Sequence, residues 1–441
     1  MPPRKKLPAS PIHATIESIS HDGRGITHVD NRIVFVHGTL PGERVLFNYS
    51  RIRSKNAEGY VHEVLEPSPQ RIKPRCQHYG QCGGCSLQHL SVPDQIAHKQ
   101  HILLQQLEHI GRVKPEAILG PMTGPEWGYR RKARLGVKYV FKKEKLLVGF
   151  REQRSNRIAE LERCEVLHPW IGHRLTDLST LLRGLSVYEQ IPQIEIAIGD
   201  DSAAMILRHL HDLTKEDRNA LAGFQRETGI SIYLQSGGPT SIIPLNDATV
   251  RDLYYRLSEE DIVIHFRPQD FTQVNFEINR KLISRVLELL APQAGDTVLE
   301  LFCGIGNFSL PIARRGARVT GVEGFPDLVE RARTNAEINN INNVDFHALD
   351  LMQEDLDYPV FKKTYRKMLF DPPRTGAREI IEHLDFEKVK RVVYVSCNPA
   401  TLARDAGILV RDRGMTLTQA GVMDMFPHTS HIESIACFEK K

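Results

Sequence analysis

The C-terminal part of the chain has a rhythm that limits its fold more than any other feature. From about residue 266 onward, short apolar runs alternate with longer stretches of helical period. Residues 276–290 place Ile278, Leu282, Ile283, Val286 and Leu290 on one helical face. The runs at 297–302, 318–322, 344–348, 367–370 and 391–396 read as buried apolar strands with helices between them. Such strands, joined through helices, predict a doubly wound α/β parallel sheet with right-handed crossovers. Segments 415–422 and 432–438 are expected to close it as a terminal hairpin.

The remaining sequence needs further domains. At about 100–200 residues per domain, 441 residues hold two to four. An apolar share of 41% and a charged share of 25% exclude a disordered or collagen-like chain. No run approaches the roughly 18 apolar residues of a membrane-spanning helix. Residues 1–10 are a basic, Pro-containing tail without the apolar stretch of a secretory signal, so a cytoplasmic location is expected. Over 11–67, runs such as Ile33-Val34-Phe35-Val36 and Arg44-Val45-Leu46-Phe47 are parted by Asp22-Gly23, Gly38 and Pro41-Gly42. Short strands at that spacing predict a small β-barrel. Pro67, Pro69 and Pro74 then mark a linker. A central α+β domain is expected over 75–265, with a helix at 94–110, and the sheet domain over 266–441.

The net charge of +4 hides an uneven distribution. Residues 1–75 hold 12 Lys and Arg against 7 Asp and Glu, and residues 129–157 hold 11 against 2. Two basic regions on an otherwise balanced chain point to a polyanionic partner.

Chemistry gathers at the expected strand ends. The first strand runs into Glu300-Leu301-Phe302-Cys303-Gly304-Ile305-Gly306-Asn307-Phe308. Glycines after a strand let the backbone pass close beneath a ligand, although a lone Gly-x-Gly marks no more than a tight turn. Glu323 ends the second strand, 19 residues after Gly304, where an acid can accept from both ribose hydroxyls of an adenine cofactor. Asp350, ending the third, could reach the adenine amino group. Phe308 stands near where a dinucleotide fingerprint has its third glycine. S-Adenosylmethionine, which has no pyrophosphate, therefore suits the loop better. The fourth strand ends in Asp371-Pro372-Pro373-Arg374 and the fifth in Ser396-Cys397-Asn398-Pro399. Prolines remove backbone donors and leave carbonyls to face a ligand. The break after Cys397 puts a thiol at the rim of the cleft, and a thiolate there is a strong nucleophile.

Seven cysteines are too few, and odd in number, for a disulfide framework. Cys76-x5-Cys82-x2-Cys85 gathers three thiols in one loop around Gly83-Gly84. Cys164 is the natural fourth, because Cys303 and Cys437 fall inside the sheet domain. Four thiolates suit either zinc or an iron–sulfur cluster.

Taken together, Phe-Thr-Gln-Val-Asn at 271–275, the 300–308 string, Asp-Pro-Pro-Arg at 371–374, Val-Ser-Cys-Asn-Pro-Ala-Thr-Leu-Ala-Arg-Asp at 395–405 and His-Ile-Glu-Ser at 431–434 resemble the uracil-C5 RNA methyltransferases. The resemblance implies a Rossmann-like S-adenosylmethionine-dependent domain with Cys397 as nucleophile and Glu433 as base. It implies cofactor contacts at Gln273, Phe302, Asn307, Glu323, Asp350 and Asp371. It also implies a structural [4Fe-4S] cluster on Cys76, Cys82, Cys85 and Cys164, since the spacing is not the Cys-x3-Cys-x2-Cys of radical enzymes. The barrel looks like a TRAM domain, an OB-like β-barrel that binds RNA, with Arg44, Arg51, Arg53 and Lys55 as phosphate contacts beside the block Arg130-Arg131-Lys132-Ala133-Arg134. Barrel and cluster together resemble the branch that acts on 23S ribosomal RNA, here as a monomer with no membrane partner.

Other readings are 5-methyluridine formation at another ribosomal or transfer-RNA position, a non-catalytic RNA-binding protein, an iron–sulfur redox enzyme and an amino-methyltransferase. The last is disfavoured because Arg374 stands where an aromatic would stack on the exocyclic nitrogen.

Overall fold

The computed structural model describes residues 7–247, 250–353 and 356–440, so residues 1–6 of the expected basic tail lie outside it. The chain folds as two compact units. The first comprises the chain up to Ile102, Arg151–Arg157 and Phe426–His431. The second comprises Leu103–Phe150, Ile158–Met425 and the chain from Ile432.

The expected all-β region of the first unit is one six-stranded sheet. Its strands are β1 (Ile12–Thr15), β2 (Ser18–Ile19), β3 (Gly25–Val29), β4 (Arg32–His37), β5 (Arg44–Ile52) and β6 (Asn56–Glu66). Their order is β1-β5-β6-β4-β3-β2. Strand alternation turns Val34, Val36, Val45, Phe47 and Ala57 inward around Ile16. Gly59 is demanded by this packing, because a Cβ there would stand 2.7 Å from the Phe47 ring and 2.8 Å from the Asn48 carbonyl oxygen. The proline linker is tied down by buried Glu43, which pairs with Arg71 at 2.5 Å and accepts from the Leu40 and Ser68 amides at 2.8 and 3.2 Å.

The helix expected over 94–110 is α1 (Val92–Gln106). It gives way to a π-helical turn at Leu107–Gly111, ended by Arg112 at φ 56°. Gly111 accounts for the change: a Cβ there would collide with the Ala403 carbonyl, and Arg411 donates to the Gly111 oxygen at 2.6 Å.

In the second unit, β7 (Ala117–Ile118) precedes a six-stranded central sheet. That sheet contains β8 (Lys132–Val140), β9 (Lys145–Gly149), β10 (Gln193–Ile198), β11 (Ala203–Arg208), β12 (Ile230–Gln235) and β13 (Ile242–Pro244), ordered β13-β12-β11-β10-β8-β9. Between these strands lie α2 (Pro169–Gly172), α3 (Leu175–Arg183) and α4 (Lys215–Thr228). Leu178, Leu182 and Leu221 from the helices join Leu135, Ile194, Met205 and Ile232 of the sheet in one core. A hairpin of β14 (Leu253–Leu257) and β15 (Ile262–Phe266) leads to α5 (Phe276–Leu290), which occupies the expected span.

The doubly wound sheet follows. It contains β16 (Thr297–Leu301), β17 (Arg318–Glu323), β18 (Val344–Ala348), β19 (Lys367–Phe370), β20 (Arg391–Ser396), β21 (Thr416–Met423) and β22 (Glu433–Glu439). Helices α6 (Ser309–Arg314), α7 (Pro326–Ile338), α8 (Arg378–His383) and α9 (Pro399–Arg411) connect them. The order is β18-β17-β16-β19-β20-β22-β21-β7. Strands β16 to β20 are mutually parallel, and β22 runs antiparallel between β20 and β21. Strand order reverses between β16 and β19, which opens a ligand-binding crevice at their carboxyl ends. Inserting β22 beside β20 brings the first residue of β22, Glu433, to that same edge. Among the described residues, no helix is long and apolar enough to cross a membrane.

Candidate active site

The crevice begins where β16 stops. Phe302 takes φ 62°, a left-handed conformation that costs an aromatic residue energy and turns the chain sharply out of the sheet. Gly304 and Gly306 continue at φ 54° and 90°. The Glu323 carboxylate holds this loop from the next strand. One oxygen accepts from the Gly304 amide at 3.1 Å, and the other accepts from the Gly324 and Phe325 amides at 2.8 and 3.2 Å. It is thereby fixed with lone pairs left for a ribose. Asp350 stands exposed past β18 and accepts from the Met352 amide at 3.0 Å and from Gln353 at 3.3 Å.

Asn307 sits in the glycine loop, but its side chain faces the protein. It exchanges two 3.0 Å hydrogen bonds with Asn279 and accepts from the Tyr255 hydroxyl at 2.7 Å. This amide braces the loop against α5. Gln273 is half-buried in the segment before α5. That segment is fastened by Asp270, which accepts from the Arg267 amide at 2.7 Å and pairs with Arg331 at 3.3 Å.

Two further acids complete the edge. Glu300 is fully buried in β16; one oxygen accepts from Ser309 and the other has no partner. Burial, with Asp371 and Glu323 nearby, pushes its carboxyl up to about 8. Part of Asp371 remains open to the crevice, yet dense surrounding protein and then Glu323 push it up to about 7. The sequence reading passed over Glu300, although an acid inside the apolar run Thr-Val-Leu-Glu-Leu was the available signal. It passed over the Tyr255–Asn279 brace as well.

Cys397 follows directly on β20. Ser396 pairs with Ser434 across the antiparallel ladder, so Cys397 and Glu433 are the next residues facing one another. Burial, then the charges of Glu433 and Asp371, push the Cys397 thiol up to about 11, and Arg374 opposes them. Asn398 locks the two motif loops together. Its Nδ2 donates to the Arg374 carbonyl at 3.0 Å, and its Oδ1 accepts from the Ala400 amide at 3.1 Å as the cap of α9.

The other expected sites fare differently. Cys76, Cys82 and Cys85 lie half-buried in the first unit and Cys164 in the second, and none is in a disulfide. Among the described residues, no group of three His, Cys, Asp or Glu is arranged to hold a metal ion. The basic block at 130–134 is not the open surface its charge suggests. Lys132 donates to the Pro268 carbonyl at 3.0 Å and also to the Asp270 carbonyl, and burial pushes its amine down to about 8. Arg131 lies over the Phe276 ring at 4.8 Å and donates to the Gly199 carbonyl. Arg134 is exposed but pairs with Glu195 at 2.9 Å. Lys132 and Arg134 share one face of β8, and it is the sequence-distant segment at 268–270, invisible to a charge count, that draws Lys132 out of water and leaves Arg134 exposed.

Comparison with known proteins places this geometry. The sequence model of the family described as tRNA (Uracil-5-)-methyltransferase matches residues 95–441, and that of the TRAM domain matches residues 8–46. The chain belongs to the tRNA (uracil-5-)-methyltransferase family. It is an enzyme family of RNA uracil-5-methyltransferases dependent on S-adenosylmethionine. The chain is 51% identical over 438 residues to the 23S rRNA (uracil(1939)-C(5))-methyltransferase RlmD of Alkalilimnicola ehrlichii, covering 99% of this chain and 98% of that one. It is 51% identical over 437 residues to the protein of the same name from Methylococcus capsulatus, covering 99% of each. Among solved structures, the Pyrococcus abyssi tRNA (uracil-54, C5)-methyltransferase in complex with S-adenosyl-L-homocysteine matches with a TM-score of 0.72 and 24% identity. That match covers 97% of this chain and 99% of the other, and it shows the family member's fold.

Proposed function

We propose that this family member methylates C5 of uridine 1939 in 23S ribosomal RNA, as a cytoplasmic monomer, with S-adenosylmethionine as methyl donor. The observation that carries the chemistry is Cys397 facing Glu433 across β20 and β22, beside the acidic edge of the crevice. The residues fit the donor. Glu323 is fixed to meet a ribose, and Asp371 stands part-open to the crevice beside it. When bound, S-adenosylmethionine supplies an electrophilic methyl group on a sulfonium cation. Phe302, Asn307, Gln273 and Asp350 are proposed to shape and line the same cofactor site.

C5 of uracil is a poor nucleophile by itself. Addition of the Cys397 thiolate to C6 converts C5 into the carbon of an enolate, which takes the methyl group. Glu433 then removes the C5 proton, and the thiolate departs from C6 by elimination. The target base must leave its stack to reach the thiol. Arg374, opposing the acids around Cys397, favours the thiolate.

We also infer a structural [4Fe-4S] cluster on Cys76, Cys82, Cys85 and Cys164. Its support is the Cys-x5-Cys-x2-Cys loop with Gly83-Gly84, and the likeness of that spacing to ribosomal family members. No step of the reaction passes through it.

Nucleoside analysis of 23S ribosomal RNA tests the assignment. A strain lacking the gene should lose 5-methyluridine at position 1939. The wild-type gene should restore it and a Cys397→Ala gene should not. An unaltered 5-methyluridine level in the deletion strain would overturn the target.

A further inference from the structure

The outward face of the first unit's sheet carries two aromatic rings, each with a guanidinium over it. Val34 and Val36 of β4 and Ala57 and Gly59 of β6 turn inward, so Phe35 and Tyr60 turn outward. The two strands pair in parallel, with His37 opposite Tyr60 and Phe35 opposite Glu58. Phe35, His37 and Tyr60 therefore form one continuous patch. The Arg24 guanidinium carbon lies 4.5 Å from the Phe35 ring centroid, and that of Arg154 lies 4.1 Å from the Tyr60 centroid. His37 feels both of them: burial, then the charges of Arg154 and Arg24, push its imidazole down.

The two arginines are placed by different means. Asp22 holds Arg24 at 2.7 Å. Arg154 arrives on Arg151–Arg157, a distant segment docked into this unit by the Gly83 amide on the Arg151 carbonyl and the Gln153 amide on the Gln81 carbonyl, each at 2.9 Å. Burial pushes the Arg154 guanidinium down, and the group that offsets this is Tyr60. Arg44 pairs with Glu66 at 2.5 Å and Arg53 with Glu58 at 3.8 Å on the same unit.

We propose that Phe35, His37 and Tyr60 form a stacking platform for unpaired bases of single-stranded RNA, with Arg154 meeting an adjoining phosphate while Arg24, held by Asp22, fixes the Phe35 ring. The proposal rests on the reading of the chain as an RNA methyltransferase and adds which surface of the first unit holds the RNA. Flat rings at neighbouring strand positions accept any base by its π-face, and guanidiniums beside them serve both stacking and phosphate. The net positive charge of residues 1–75 favours a polyanion over an acidic-poor protein surface. Duplex RNA is recognised mostly by its shape and buries its bases, so the partner is a single strand.

The test uses the full-length protein and two RNA probes: an unstructured oligonucleotide carrying 2-aminopurine, and a perfect duplex. Combining Phe35→Ala with Tyr60→Ala should weaken oligonucleotide binding about 25-fold or more, at roughly fivefold per lost ring. It should abolish 2-aminopurine quenching and leave the salt dependence unaltered. Arg154→Ala should instead lower the salt slope by about one. Tyr60→Phe keeps the ring and should retain wild-type affinity. Should the double alanine variant melt early, Phe35→Leu with Tyr60→Leu replaces it, since leucine fills the space without a π-face. S-Adenosylmethionine binding and methyl transfer by the wild-type protein report separately on the enzymatic reading. Oligonucleotide affinity within about twofold of wild type in the ring variants overturns the proposal and leaves the patch to a protein partner. An equal loss on oligonucleotide and duplex also overturns it, because stacking is not then what was removed.

Discussion

Cys397 attacks only as a thiolate, and the protein groups around it favour the thiol, held up to about 11. A group with a raised pKa gains reactivity as pH rises toward that value. Alkylation of Cys397 by iodoacetamide should therefore be slow at pH 7 and climb about tenfold per pH unit through 9. Glu433→Gln removes one of the charges that raise the thiol, so alkylation at pH 8 should accelerate; an unaltered rate would separate the two residues electrostatically. The same substitution should let methyl transfer occur once and then stall, because only proton removal needs the carboxylate. An RNA–protein band surviving denaturing electrophoresis, absent when Cys397→Ala is added, is the expected result. Free turnover without that band would assign the base elsewhere. At the cofactor edge, Glu323→Ala should weaken S-adenosylmethionine binding by about 1.5–3 kcal/mol, the worth of a hydrogen bond to a charged group. Calorimetry showing unaltered affinity would contradict its place at the ribose. Of these groups, the positions of Cys397 and Glu323 at strand ends were legible because each closes an apolar run. Asn307 was legible by position but not by partner, because Tyr255 and Asn279 lie far from it in sequence.

The elements of the doubly wound sheet were read to within a residue or two, and the reason is burial. Strands covered on both faces must be apolar throughout, and their ends fall where that requirement lapses. β16 ends at Leu301 rather than 302 because Phe302 leaves the sheet at φ 62°, a local strain that apolar character does not reveal. Chain order could not show β22 slipping between β20 and β21, the step that delivers Glu433 to Cys397. The N-terminal cap of α9 belongs to this scale. Asn398→Ala should cost about 1 kcal/mol by uncapping α9. It should also lower methyl transfer more than cofactor affinity, since Asn398 ties the Arg374 carbonyl to the loop of Cys397. Urea unfolding together with initial rates will check both. Asp405 lies deeper: it accepts from the Tyr394 hydroxyl at 2.7 Å and the Ala377 amide at 2.8 Å while fully buried. Asp405→Ala leaves those two donors unsatisfied and should destabilise the protein by about 2–6 kcal/mol in the same denaturation assay, at about 1–3 kcal/mol for each stranded donor.

At the scale of the whole molecule, two sequence-distant segments complete the first unit, since Arg151–Arg157 and Phe426–His431 belong with the N-terminal sheet. No period or motif announces such docking, which is why the charge of residues 129–157 looked like one surface and divides between two units. If the cysteine loop carries an iron–sulfur cluster, anaerobically purified protein should be brown and hold about four irons and little zinc. Cys82→Ala should then lose the iron and some solubility, because cluster binding is coupled to folding. A colourless protein with one tight zinc would replace the cluster by a zinc site. The enzymatic claim is tested most directly at the carbon that reacts. A 23S ribosomal RNA fragment with tritium at C5 of its uridines, incubated with the protein and S-adenosylmethionine, should release one tritium to water for every methyl group gained. Cys397→Ala should show neither event. Methyl transfer without tritium release would contradict substitution at C5, and with it the roles given to Cys397 and Glu433.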